Sequence, residues 1–218
     1  MTPLFPKWSN TAFRVILVIA VLVPTALLTL GMLWVRGPLR TRQNEPVTQP
    51  VQFDHRHHVA DEGIDCRYCH TTAETGASAG VPPASTCMNC HAQVWNKSPK
   101  LDPVREAYFS GKPIPWNRVH QLPDFVYFNH SIHIAKGVGC ESCHGRVDEM
   151  PEIAQAQPLT MQFCLDCHRN PAPNLRPHDA VTAMGWEHPE GQDPQVYGEK
   201  LVADYHVHTR VSCTTCHR

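Results

Sequence analysis

Cys66-Arg67-Tyr68-Cys69-His70 decides how this chain is read, because its pattern recurs at Cys87-Met88-Asn89-Cys90-His91, Cys140-Glu141-Ser142-Cys143-His144, Cys164-Leu165-Asp166-Cys167-His168 and Cys213-Thr214-Thr215-Cys216-His217. The five runs consume all ten cysteines of the 218 residues. Side chains at i, i+3 and i+4 share one face of a helical turn, so each run presents two thiols and an imidazole together. Two such thiols can each form a thioether with a vinyl group of one haem while the adjacent His reaches the iron, which is the attachment signature of c-type haem. Cys-x-x-Cys also serves zinc sites and redox dithiols, and an even cysteine count in an exported chain ordinarily signals disulfides. Zinc sites would need these pairs two by two, and five is odd. The expectation is five covalently held haems c, attached through Cys66, Cys69, Cys87, Cys90, Cys140, Cys143, Cys164, Cys167, Cys213 and Cys216. Their irons are expected on His70, His91, His144, His168 and His217.

Outside these runs the composition is equally unusual. Fifteen His and twenty Pro stand against twelve Gly, a mix that predicts a mostly irregular fold with short α-helices. The formal charge of −1 supplies no basic footprint, so nucleic acid is excluded as a partner class. Roughly 180 residues beyond the N-terminal segment leave roughly 36 per haem, too few to bury each macrocycle in its own pocket. The rings are therefore expected to pack against one another and to supply much of the apolar core.

From Val15 to Val35 no side chain is charged, a run long enough to cross a hydrocarbon layer of about 30 Å as a helix. Trp8 and Trp34 flank it, where indole rings favour the interface. A cleaved export signal would end in small residues, whereas Trp34-Val35-Arg36-Gly37-Pro38 is bulky, so residues 1–35 are read as a retained single-pass anchor. Lys7 and Arg14 on one side nearly balance Arg36, Arg40 and Arg42 on the other. Because haem c is attached after export, the C-terminal part is expected on the extracytoplasmic (periplasmic) face of the inner, cytoplasmic membrane. Residues 36–50 are polar and read as a tether.

The remainder repeats. Val51, Phe53, His55, His58 and Ala60 recur as Val126, Phe128, His130, His133 and Ala135 at an offset of 75, and Cys66 recurs as Cys140 at 74. This gives 51–125 as a first dihaem unit with a Pro-rich linker from 99 to 124. The second dihaem unit with the fifth motif is then 126–218, in which 172–202 is expected to wrap the haems.

Haems that only transfer electrons have both axial positions filled, usually by His or Met. The candidates recurring in register are His55, His58, His130 and His133. For the fifth position His120 and Met161 compete, with His206 and His208 less favoured. His57 falls off the face that His55 and His58 share.

At the Phe-x-His-x-x-His element the chain resembles the class III multihaem cytochromes c. That resemblance implies that His55 serves the haem on His70 and His130 the haem on His144, with His58 and His133 reaching neighbouring haems. The anchor, the two dihaem units, the terminal motif, His120-Gln-Leu-Pro-Asp-Phe-Val-Tyr-Phe-Asn-His130 and the run Pro158-Leu-Thr-Met161 ahead of Cys164 resemble the pentahaem cytochrome c subunit of alternative complex III over nearly the whole length. This second resemblance implies a non-catalytic electron carrier in a quinol-oxidising respiratory chain complex, its partners an iron–sulfur subunit and a monohaem cytochrome or oxidase. A directly quinol-oxidising membrane cytochrome is the alternative, weakened by five motifs rather than four and by the tether. A multihaem reductase enzyme needs an open iron, which nitrite reductases mark with Lys in place of the motif His; here every motif ends in His.

Overall fold

The uncharged run from Val15 to Val35 lies inside one helix, α1 (Ser9–Arg36), in the computed structural model, which describes residues 4–217. Residues 1–3 and 218, the outermost of the expected anchor and of the expected second haem unit, lie outside the described residues. Helix α1 contains Pro24 and buries no side chain. The hydroxyls of Thr25 and Thr29 donate to the carbonyls of Val21 and Thr25, each at 2.8 Å, so the only polar side chains within the run are satisfied by the helix itself. With a mean hydropathy of 2.6 over its best window, α1 is long and apolar enough to cross a membrane.

The chain divides into two units, 1–42 and 43–218. The expected tether falls across that boundary. Pro38–Thr41 is a helical turn of the first unit, whereas in the second unit Asn44 N–H donates to Gln155 O (2.8 Å) and Val47 N–H to Ile153 O (3.2 Å).

Proline frequency keeps the second unit's helices short. They are α2 (Ala84–His91), α3 (Asp102–Ser110), α4 (His130–Ala135), α5 (Met161–Arg169) and α6 (Pro194–Asp204), with single turns at Cys66–Cys69, Cys140–His144 and Cys213–Cys216. Among the described residues there is no strand, only isolated bridges such as Val126 with His217. The fold is therefore mostly irregular with short helices, as its composition predicts. Short polar side chains start several of these turns: Asp65 accepts from Arg67 N–H, Asn129 from Ser131 N–H, Thr160 from Phe163 N–H and Asp193 from Gln195 N–H, each satisfying a donor that the first turn leaves free.

A small apolar cluster sits in this unit. Val51, Ala84, Leu101, Val104, Ala107 and Ile114 form it, with Cys87, Met88 and Trp116 packed against it. The segment 99–124 is thus more than a linker: α3 buries Val104 and Ala107 on one stripe and ends at Gly111, whose φ of +70° suits glycine. Elsewhere α6 lies on the turn Ala172–Asn174, and a Cβ at Gly198 would sit 1.9 Å from Ala172 O. Arg176, 7% exposed, ties residues 137–141 to 183–186. Its guanidinium donates to Ala183 O (2.7 Å) and to Glu141 (3.3 Å), and lies 5.4 Å from the Trp186 ring centre. Glycine at 139 leaves it room, since a Cβ there would meet Arg176 Nε at 2.2 Å.

Candidate haem-binding sites

All ten cysteines are unpaired thiols on or beside a helical turn, and each motif His follows directly. Burial of the imidazoles near them is the first electrostatic fact. It pushes His144 down to about 3, with His120, His130, His70 and His55 adding, and pushes His55 and His120 to about 4. Burial likewise lowers His133. At neutral pH these rings are uncharged, the form in which imidazole binds a metal.

A neutral imidazole binds a metal through its unprotonated nitrogen, and a carbonyl can only accept, so an Nδ1 facing a carbonyl carries the proton and leaves the Nε2 lone pair free. Four motif imidazoles meet this condition. Nδ1 of His70 donates to Gly80 O (2.7 Å), that of His91 to Val94 O (3.0 Å), that of His168 to Arg210 O (2.8 Å) and that of His217 to Phe125 O (3.2 Å). Three of the upstream imidazoles do the same: His58 to Asp54 O (2.9 Å), His130 to Ala77 O (2.8 Å) and His133 to Asn129 O (2.7 Å). His55 Nδ1 is buried without a partner.

The repeat seen in sequence is also a repeat in space. Phe53 meets the edge of His55 at 4.7 Å and stacks on His58 at 4.2 Å. Phe128 meets His130 at 4.8 Å and stacks on His133 at 4.5 Å. In both halves the residue after Phe, Asp54 or Asn129, starts the turn and its backbone carbonyl fixes the second imidazole, His58 or His133, while the aromatic wedge packs against both rings.

Three pairs of these rings face each other across a gap. Ring centres are 6.2 Å apart for His58 and His91, 6.3 Å for His130 and His144, and 6.0 Å for His133 and His168. Two imidazoles bound to opposite sides of one metal through bonds of about 2 Å, with about 1 Å more to each ring centre, have centres about 6 Å apart. The residues therefore fit a haem iron at each pair. Among the described residues no three of His, Cys, Asp and Glu gather closely enough to hold a bare ion. Exposed apolar side chains flank the same segments, notably Phe125, Tyr127, Ile132, Met161 and Val211, a surface that needs cover.

The other candidates stand differently. His120 Nε2 lies 3.2 Å from His144 Nδ1, with ring centres 4.4 Å apart, so it meets a motif imidazole from behind rather than across a gap. Met161 is exposed at the start of α5, one turn before Cys164. His206 and His208 are exposed. His57 faces Asp61 and Glu62 at the surface. His178 and His188 direct Nε2 at Ala135 O (3.0 Å) and Pro173 O (3.3 Å).

Neighbouring motifs influence one another in a definite order. Asn89 donates to the Tyr68 hydroxyl (3.0 Å), and the Cys69 thiol, raised by burial, is raised further by Cys87. Cys66 and Cys140 share a hydrogen bond that raises the first thiol and lowers the second. Burial raises Cys143 to about 11, with Cys167 and Cys164 adding, and raises Cys164 with Cys216 adding. Read through these contacts, the motifs succeed one another as second, first, third, fourth and fifth. Sequence alone had no signal for this order, nor for the carbonyls that fix the rings.

Comparison with known proteins adds identity to geometry. Residues 126–218 match the family model of cytochrome c7 and related cytochrome c. Over 97 residues the chain is 38% identical to the menaquinone reductase multiheme cytochrome c subunit of Nitratidesulfovibrio vulgaris. That alignment covers 44% of this chain and 45% of the relative, so the match spans less than half the length of either protein. Over residues 126–218 the chain is thus similar in sequence to cytochrome c7 and related cytochrome c.

Proposed function

We propose that this chain binds five haems c and serves as the electron-carrying subunit of a quinol-oxidising respiratory membrane complex, related to alternative complex III. Haem c, when bound, supplies the chemistry, its iron alternating between ferric and ferrous while its ligands stay in place. The chain's own part is to hold each iron from both sides and to keep the sites adjacent. The observation that carries this reading is the facing imidazole pairs at 6.0–6.3 Å, each ring but His144 having Nδ1 committed to a carbonyl.

His58 with His91, His130 with His144 and His133 with His168 are the pairs that would hold three of the haems. His55 is assigned to His70, as the resemblance to class III multihaem cytochromes c implies. Met161 is assigned to His217, because Cys164, one turn along α5, neighbours Cys216 and because His120 is occupied at His144. Met in place of His makes that site more oxidising. With every iron closed, the reductase reading loses the open position it requires.

Helix α1 acts as the anchor, with the haem-bearing unit outside the cytoplasm, where haem c attachment takes place. The other subunits, an iron–sulfur protein and a monohaem cytochrome or oxidase, supply and remove electrons. A second reading runs the other way: the relative from Nitratidesulfovibrio vulgaris is named a menaquinone reductase subunit, which favours delivery of electrons to a quinone. Membranes containing the assembled complex, given a menaquinol analogue, should reduce the haems of this subunit and then an added acceptor. Haems that stay oxidised with menaquinol but reoxidise on addition of menaquinone would favour the second reading. Reduction of the purified chain by quinol without partners would instead make it a quinol dehydrogenase in its own right.

A further inference from the structure

Of the five motif imidazoles, His144 is the exception. Gly80, Val94, Arg210 and Phe125 offer carbonyl oxygens to the other four, whereas His144 Nδ1 meets His120 Nε2 at 3.2 Å. The His120 ring stands at 76° to that of His144 in an edge contact, within hydrogen-bond distance of its outer nitrogen. The backbone around it is pinned: Arg118 Nε donates to His120 O (3.1 Å) and Gln121 N–H to the side chain of Gln155 (3.3 Å). The ring it restrains is also the one whose plane differs. His144 lies at 12° to His130, against 63° and 60° in the other two facing pairs.

We propose that His120 is a positioning residue for the third haem site, accepting the Nδ1–H of His144 so that the ring is held nearly parallel to His130 and donates more strongly to iron. This rests on His144 and His130 being the axial pair, as proposed above. A neutral imidazole nitrogen is a good hydrogen-bond acceptor, and an acceptor at the outer nitrogen raises the basicity of the ligating one. Greater basicity favours ferric iron and lowers the site's potential.

The test uses the full-length protein with its haems attached, comparing wild type with His120→Phe, which keeps ring volume without the acceptor, and His120→Gln, which restores an acceptor of similar reach. Haem stoichiometry, low-temperature EPR and a potentiometric titration are read together. In His120→Phe the haem count should be unchanged and every haem low-spin. One low-spin signal should change its rhombicity as His144 is freed to turn, and one midpoint potential should rise; His120→Gln should return both toward wild type. A new high-spin haem in His120→Phe would make His120 an axial ligand and overturn the proposal, as would unchanged signals and potentials. Should His120→Phe fail to accumulate, His120→Leu carries the same outcomes. His144→Ala separates the underlying reading: if it leaves all spin states as in wild type, the axial assignment itself fails, whatever His120 does.

Discussion

What the second nitrogen of an imidazole meets fixes the ring's orientation and tautomer, and for seven of the candidate imidazoles it is a backbone carbonyl. His58 and His133 each return Nδ1 to the carbonyl four residues upstream, at 2.9 and 2.7 Å, so the turn that carries the ligand also sets its tautomer. The Phe53 and Phe128 rings stacked on them limit rotation. His58→Ala and His133→Ala should therefore each convert one haem to high spin while leaving the others low-spin, as read by EPR of the full-length protein. Met161→Leu should remove a methionine–iron charge-transfer band and lower one midpoint potential, since loss of thioether ligation withdraws its stabilisation of ferrous iron. An unchanged spectrum would return the fifth position to His206 or His208. The five motifs stand out in the sequence, and repetition in register singles out His55, His58, His130 and His133 as the candidates beside them. The position of His120 was not legible there: its ten-residue spacing from His130 suggested a ligand, and only packing brings its nitrogen against the outer side of His144.

At the scale of elements, what sequence conveyed was periodicity and what it withheld was packing. A helical turn at each motif follows from the i, i+3, i+4 arrangement, and α1 follows from a long uncharged run. The segment 99–124 is harder to read because its prolines suggest a linker, yet Pro103 stands in the first turn of α3, where a missing N–H costs nothing, and the helix then buries Val104 and Ala107. The bracing of the third motif was equally hidden, because it joins Gly137, Gly139 and Glu141 to Arg176 across 35 or more residues of chain. Arg176→Ala removes one partner of the Glu141 carboxylate, which keeps Gly185 N–H (2.9 Å) and Arg146, and empties the space beside Trp186, a loss on the order of 1–3 kcal/mol. Gly198→Val forces α6 away from Ala172 O, an overpacking cost on the order of 1–3 kcal/mol or more. Both variants should show a lower midpoint of thermal unfolding by circular dichroism. Neither should alter the spin state of the haems that remain bound, since neither side chain is among the proposed ligands.

For the whole molecule the decisive property is economy of protein. The unit 43–218 has few buried apolar side chains, far from what a chain of this length buries when protein alone forms its core. Large apolar side chains stand exposed next to the motifs, and the cysteines of the motifs influence one another in the succession second, first, third, fourth, fifth. This is the arrangement expected if porphyrins fill the space between them, with the second and fifth sites at the two ends. It also explains why the sequence revealed the fold class but not the internal architecture: the missing packing partners are attached groups that no residue pattern outlines beyond their anchoring points. The central claim is therefore a count. A pyridine haemochrome assay on the purified full-length protein, combined with its intact mass, should give five covalently attached haems c per chain. A mass equal to that of the bare polypeptide, or fewer haems with the remaining cysteines joined as disulfides or bound to zinc, would contradict it.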